Sequence, residues 1–183
     1  VGRITSAEGL YGVLGYGYDA TGNRTSITTD GLSQSYTINY MNNWLVKAGQ
    51  TSRSYDANGN LTKQGADTFT YDSQNRLVAA TVAGVTASYT YNHLDQRVTK
   101  TLNGHTRLLV YDLAGNLIEE LDAATGDVLA EYIWLDGTPL GFVQSEQIYQ
   151  VHVDHRGTPK ALTDVSGQVD WKASYSPFGK ASI

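Results

Sequence analysis

The chain of 183 residues is long enough for one domain with a hydrophobic core. Only 17% of it is charged, below the roughly 25% of ordinary soluble domains, and 13 Lys and Arg against 18 Asp and Glu give a net charge of -5 with no basic footprint for nucleic acid or an anionic membrane. The absence of cysteine excludes disulfides, thiolate nucleophiles and Cys-based zinc sites, and no apolar run approaches the roughly 20 residues of a membrane span.

The chain opens "VGRITSAEGLYG", without an initiator Met and in mid-pattern, so it is expected to be an excerpt of a longer polypeptide. The first recognisable unit is "YDATGNR" at Tyr18. Degenerate or close copies follow at Tyr40 ("YMNNWL"), Tyr55 ("YDANGNL"), Tyr71 ("YDSQNRL"), Tyr91 ("YNHLDQRV"), Tyr111 ("YDLAGNL"), Tyr132 ("YIWLDGTPL"), Val153 ("VDHRGTPKAL") and Tyr175 ("YSPFG"). Successive anchors lie 22, 15, 16, 20, 20, 21, 21 and 22 residues apart. That spacing holds one hairpin, with two strands of about six residues and two turns.

Between the turns the pattern alternates. In "DTFTYD" Phe69 and Tyr71 fall on one face and Thr68 and Thr70 on the other, and "ASYTYN" places Tyr89 and Tyr91 in the same way, the period of a half-buried strand. The segments "RLVAATV" and "NLIEELD" supply the returning strands. The expected fold class is all-β, with at least seven antiparallel hairpins in a curved sheet and almost no helix.

Each part of the turn has a mechanical role. Tyr18, Asp19 and Gly22, then Tyr55, Asp56 and Gly59, Tyr71 and Asp72, and Tyr111, Asp112 and Gly115 form the repeated set. Gly59 and Gly115 can take positive φ without a Cβ penalty, and Asp56 and Asp112 can accept hydrogen bonds from N–H groups a few residues on. The segment "ANGN" suits a four-residue loop built on a type I turn. With 13 Tyr against 3 Phe, rings can pack inward while hydroxyls reach solvent or a carbonyl at the sheet margin.

Sites with chemistry find less support. "DANGN" at Asp56–Asn60 has the alternating oxygens of a calcium loop, but no bidentate Glu follows where an EF-hand needs one, so turn capping is the preferred reading. In "HVDH" a strand would put His152 and Asp154 on one face and His155 on the other. A tight turn whose His155 and Arg156 hold neighbouring backbone is expected there instead of a metal site. No Gly-x-Ser-x-Gly elbow is present, and the adjacent Glu119 and Glu120 would face opposite ways on a strand, unlike a glycosidase pair. Trp44, Trp134 and Trp171 could stack on sugars, though packing in a core or at a sheet edge is the more usual role.

The Tyr-Asp hairpins, followed by "YIWLDGTPLGFV" and "VHVDHRGTPKALTDVSGQVDWKASYSPFG", resemble the YD-repeat proteins of the Rhs family and the start of their Rhs-associated core region. The resemblance spans about Tyr18 to Gly179. It rests on the ordered series ending in Asp154, His155, Arg156, Gly157, Thr158 and Pro159, then Tyr175, Ser176, Pro177, Phe178 and Gly179. It departs from the family pattern where Met41 follows Tyr40 and Asn92 follows Tyr91.

What the resemblance implies is a hollow shell of spirally wound β-sheet, similar to the C components of Tc toxins and to teneurins, enclosing a C-terminal polymorphic toxin domain. On that basis residues 1–148 are shell hairpins and residues 149–183 the beginning of the core region. The family's aspartyl autoprotease would lie beyond Ile183, so no catalytic residue, cofactor or metal is carried over and the piece is expected not to be an enzyme. Its implied partners are the rest of the shell, the toxin domain and secretion-system components. Its implied location is secreted or at the cell surface of a bacterium. The alternative is an extracellular YD-repeat module that binds glycans or a neighbouring cell surface, marked by aromatic rings aligned on an exposed face.

Overall fold

The computed structural model describes residues 2–183, which form twenty β-strands and no helix. No helix is therefore long and apolar enough to cross a membrane among the described residues. The chain divides into two compact units, Val1–Gly84 with Tyr175–Ser182, and Val85–Ser174 with Ile183.

The first unit is a meander of nine strands: β1 (Ser6–Gly9), β2 (Gly12–Tyr18), β3 (Arg24–Thr29), β4 (Leu32–Asn39), β5 (Trp44–Ala48), β6 (Thr51–Tyr55), β7 (Leu61–Gln64), β8 (Asp67–Tyr71) and β9 (Leu77–Val82). Each pairs antiparallel with the next. The second unit repeats the plan with β10 (Val85–Tyr91), β11 (Arg97–Leu102), β12 (His105–Tyr111), β13 (Leu117–Asp122), β14 (Val128–Leu135), β15 (Thr138–Gln144), β16 (Gln147–Val153), β17 (Pro159–Thr163) and β18 (Val169–Lys172). A short hairpin, β19 (Ser174–Tyr175) and β20 (Ala181–Ser182), follows.

The expected alternation is present. On β8, Asp67, Phe69 and Tyr71 are half-buried and Thr68 and Thr70 exposed, and on β10, Ala87, Tyr89 and Tyr91 lie inward while Ser88 and Thr90 face water. Burial is shallow everywhere. The buried apolar residues are Leu14, Tyr16, Leu109 and five alanines, and no described side chain falls below 2% exposure. The chain exposes 12085 Å², against roughly 8,700 Å² for a compact monomer of this mass. Sequential pairing explains this, because strands that contact only their chain neighbours leave their faces without a second sheet above them.

Connections alternate between two ends of each meander. At one end two-residue turns such as Asp30-Gly31 and Asn103-Gly104 hold both central residues at positive φ, the type I′ geometry that matches strand twist. At the other end lie most of the Asp-led turns, those of Asp19, Asp56, Asp72, Asp112 and Asp154. There the loop is shorter than the four residues expected: Asp56 N–H donates to Asn60 O at 3.0 Å and closes a three-residue loop, with Gly59 N–H on Asp56 O at 3.2 Å and Gly59 at φ +88°. This is a type I turn followed by one left-handed residue, and it shifts the register beside Tyr55.

Two anchors stand two residues from their expected places. In the "YMNNWL" unit Asn39 takes the aspartate's position, its Oδ1 accepting Met41 N–H at 2.9 Å, while Tyr40 is exposed at the turn tip. In the "YIWLDG" unit the turn is the two-residue Asp136-Gly137, and Trp134 occupies the last inward position before it. A further Asp-led turn, at Asp164–Gln168, joins β17 to β18.

Gly115, at φ +89°, has only Gln96 Nε2 at 3.5 Å from where a Cβ would stand, so space is adequate and conformation is the obstacle. Gly115→Val should lower stability by about 1–3 kcal/mol through backbone strain, read as a reduced midpoint in urea, while Gly115→Asn should lower it much less. Equal effects of Val and Asn would refute the assignment of strain.

Candidate functional site

The conspicuous cluster of polar groups is the series of Asp-led turns. Asp112 shows the common plan: its Oδ1 accepts the N–H of Ala114 at 2.9 Å and of Asn116 at 2.8 Å, and its Oδ2 accepts Asn116 Nδ2 at 2.8 Å. Asp56 does the same with Asn58 and Asn60, and Asp19 with Asn23, adding Thr21 Oγ1 at 2.8 Å. In Asp72 the fifth residue is Arg76, whose Nη2 lies 2.7 Å from Oδ2. Donors aimed at a carboxylate favour its charged form. Asn23 first, then Thr21, hold Asp19 down to about 2. Asp56 and Asp112 are lowered mainly by the amides of Asn60 and Asn116, and Asp72 by the N–H of Arg76.

Turns at one end of a meander sit two strand spacings apart, about 9.5 Å, which an asparagine pair can bridge. Asn23 Nδ2 donates to Asn43 Oδ1 at 2.9 Å, and Asn58 and Asn60 both donate to Asn75 Oδ1, at 2.9 and 2.8 Å. The anchoring rings add a second tie. Tyr18 donates its hydroxyl to Ile4 O, Tyr55 to Leu45 O and Tyr111 to Arg97 O, at 2.8, 2.8 and 2.9 Å. Trp134 does the same through its indole N–H, 2.7 Å from Leu117 O. In the last three pairs the acceptor lies where the chain re-enters the sheet after the preceding turn. Each ring thus fastens one hairpin to the one before it.

This arrangement uses the groups that chemistry would need. The Asp56 oxygens that a calcium ion would take already accept three N–H donors. Glu120 accepts Arg107 Nη1 and the Tyr132 hydroxyl, both at 2.8 Å. Burial, then that hydrogen bond, push the Tyr132 phenol up to about 12. His152 Nε2 lies 2.9 Å from Thr163 Oγ1.

The core-region motif divides in two. Asp154 builds the common turn, its Oδ1 accepting the N–H of Arg156 and Thr158 at 2.9 and 3.1 Å, with Lys160 Nζ 3.6 Å from Oδ2, Gly157 at φ +77° and Pro159 opening β17. The expectation that His155 and Arg156 hold neighbouring backbone is corrected here. Both side chains are exposed without a hydrogen bond among the described residues, since the short carboxylate of Asp154 reaches the turn's N–H groups first. Pro177, Phe178 and Gly179 form the β19–β20 turn, with Ser176 Oγ in the aspartate's place accepting Lys180 N–H at 3.1 Å. Phe178 meets Tyr16 edge-on at 5.0 Å and lies 4.7 Å from the Arg24 guanidinium. Sequence reading missed Arg24, the anchoring role of Trp134 and the Asp164 turn. Asp-x-x-Gly, shared by Asp19, Asp56, Asp112, Asp154 and Asp164, would have found the last.

All 183 residues match the family model described as Teneurin YD-shell. The chain is 34% identical over 175 residues to the tRNA3(Ser)-specific nuclease WapA of Bacillus spizizenii, covering 91% of this chain and 8% of that protein. It is 27% identical to Teneurin-1 of Mus musculus over 90% of its length and 6% of the relative's. Among solved structures, the Photorhabdus luminescens Tc holotoxin pore superposes with a TM-score of 0.66 and 16% identity over 92% of this chain and 10% of that one. The chain thus spans less than a tenth of the curated relatives it matches, and the repeated hairpins are those of a YD shell.

The turn carboxylates set an acid limit. Their folded values lie below the ordinary 3.8, Asp19 at about 2, so the stability they contribute is complete above the unfolded value and disappears as pH falls through the folded one. The Asp19 13Cγ signal should titrate near 2, and melting temperature should fall between pH about 4 and about 2. A midpoint at the ordinary value would show the turn bonds absent in solution.

Proposed function

Because the chain belongs to the teneurin YD-shell family, a module whose relatives include nucleases and toxins, we propose that it is a section of shell wall that encloses and helps deliver a toxin domain carried on the same polypeptide. The observation that carries this reading is the use made of the repeat. Tyr55, Tyr111 and Trp134 fasten hairpin to hairpin through backbone carbonyls, and the aspartates close turns. Groups so engaged build a surface that extends by repetition, with each unit stabilised by its neighbours. The chemistry of the whole protein then resides in the domain enclosed.

The glycan-binding alternative is marked by rings aligned on an exposed face, whereas the anchoring rings Tyr18, Tyr55, Tyr111 and Trp134 are half-buried between hairpins. Here the hydroxyls of Tyr18, Tyr55 and Tyr111 and the indole N–H of Trp134 are bonded to the protein's own carbonyls, which favours the wall over the binding module.

The proposal is tested by producing the 183-residue chain and the full-length native polypeptide side by side and following both by mass spectrometry and limited proteolysis. The short chain should stay intact and be harmless to the producing cell. In the long one a C-terminal domain should resist protease until the shell is denatured. A C-terminal domain digested as fast as an isolated one would refute enclosure. Self-cleavage of the short chain, abolished by Asp154→Asn, would refute the silence of the wall.

A further inference from the structure

The first unit contains a cleft of about 420 Å³ between the face of β2–β4 and the turn of the β19–β20 hairpin. Arg24 is at its centre. Its guanidinium carbon lies 4.7 Å from the ring centroid of Phe178, 5.2 Å from that of Tyr36 and 5.6 Å from that of Tyr16. Tyr16 is itself 7% exposed. Lys180 stands in the same lining, with Leu14 and Ile27 as apolar wall, and no Asp or Glu lines the cleft. Arg24 forms no ion pair or side-chain hydrogen bond with any described residue, in a chain whose net charge is -5.

A guanidinium packed among three rings is stabilised through its faces. Its N–H groups point along its edges, in the plane where a carboxylate can be received by two parallel hydrogen bonds. Apolar walls strengthen that attraction relative to open water, and the second cation adds to it without a competing acid. The volume is within the few hundred Å³ typical of small-molecule sites. From this geometry we propose that the cleft binds an aryl carboxylate, with the carboxylate on Arg24 and Lys180 and the flat body against Phe178 and the tyrosines.

The source of that chemistry is either a free aromatic acid or the C-terminal carboxylate of a peptide ending in an aromatic residue. A stack that only clamps the hairpin would bind neither, because the clamp is complete without a ligand. The inference does not depend on what the shell encloses.

The test uses the 183-residue chain, 15N-labelled and observed at the Arg24 Nε–H signal and the Phe178 ring protons. Benzoate should give a saturable shift with a Kd in the millimolar range, on the order of 1 mM, and the isosteric but neutral benzamide should give none. Tighter binding of N-acetylphenylalanine than of benzoate would assign the site to a peptide end, and the reverse to a free acid. Either result supports the proposal. Arg24→Gln should abolish the shift at Phe178. Should that variant fail to fold, Lys180→Gln, at an exposed position, should weaken benzoate by about threefold or more, as loss of one solvent-facing charge predicts. The proposal is overturned if benzoate and benzamide act alike, if no saturable shift appears by about 20 mM, well above the expected Kd, or if Lys180→Gln leaves the affinity unchanged.

Discussion

A strand that pairs only with its chain neighbours has no second sheet to bury its side chains against, and the rest of this structure depends on how that constraint is met. Alanines at Ala48, Ala80, Ala87, Ala130 and Ala173 make up most of the buried apolar set, so removing apolar surface from water contributes less here than in a two-layer domain. The deficit is made up along the sheet. Trp44 packs on Tyr55 at 5.0 Å, and Tyr132, Phe142 and Tyr149 run across β14, β15 and β16 with centroids 5.3 and 5.9 Å apart. Such cross-strand pairs contribute roughly 0.2–1 kcal/mol each. Their number, more than their individual strength, holds the layer together.

The same constraint explains why the anchor is tyrosine. A phenylalanine at position 111 would supply the ring but not the bond to Arg97 O, and a carbonyl beside a turn would lose its partner. Trp134 satisfies the rule with a different atom, reaching Leu117 O through Nε1. These two anchors share a donor at the end of an apolar side chain, whereas Ile38 and Val153, at the equivalent place before Asn39 and Asp154, supply only the apolar part.

That equivalence sets what could be read in the sequence. Alternation, the Tyr-Asp pair and the Asp-x-x-Gly turn are local, and the strands and turns they mark are present at Tyr55, Tyr71 and Tyr111. Anchors placed at Tyr40 and Tyr132 in place of Ile38 and Trp134 are even slips. A period of two turns every side chain to the other face on a slip of one residue but hides a slip of two. Only the hydrogen-bond partner distinguishes them. The left-handed position is not confined to glycine: Asn75 and Asp95 occupy it at φ +63° and +61°, as short polar side chains can. The cleft around Arg24 was beyond sequence reading for another reason: Phe178 lies more than 150 residues from it in sequence, and no local pattern records which strands a distant turn will meet.

A structure built this way tolerates divergence unusually well. Because the ties join each hairpin to its neighbour, a substitution disturbs one link and leaves the rest, whereas in a close-packed core a changed volume is felt by many residues. The requirements that remain are few: a carboxylate, amide or hydroxyl to open the turn, as in Asp112, Asn39 and Ser176, a left-handed residue to end it, and an inward apolar side chain before it, which in Tyr55, Tyr111 and Trp134 carries a donor at its tip. Many sequences meet them. A TM-score of 0.66 at 16% identity with a Tc toxin is what such permissive rules produce. By the same reasoning, a cluster that departs from the repeat, such as a cation packed against three rings, carries more information than any of the turns that obey it.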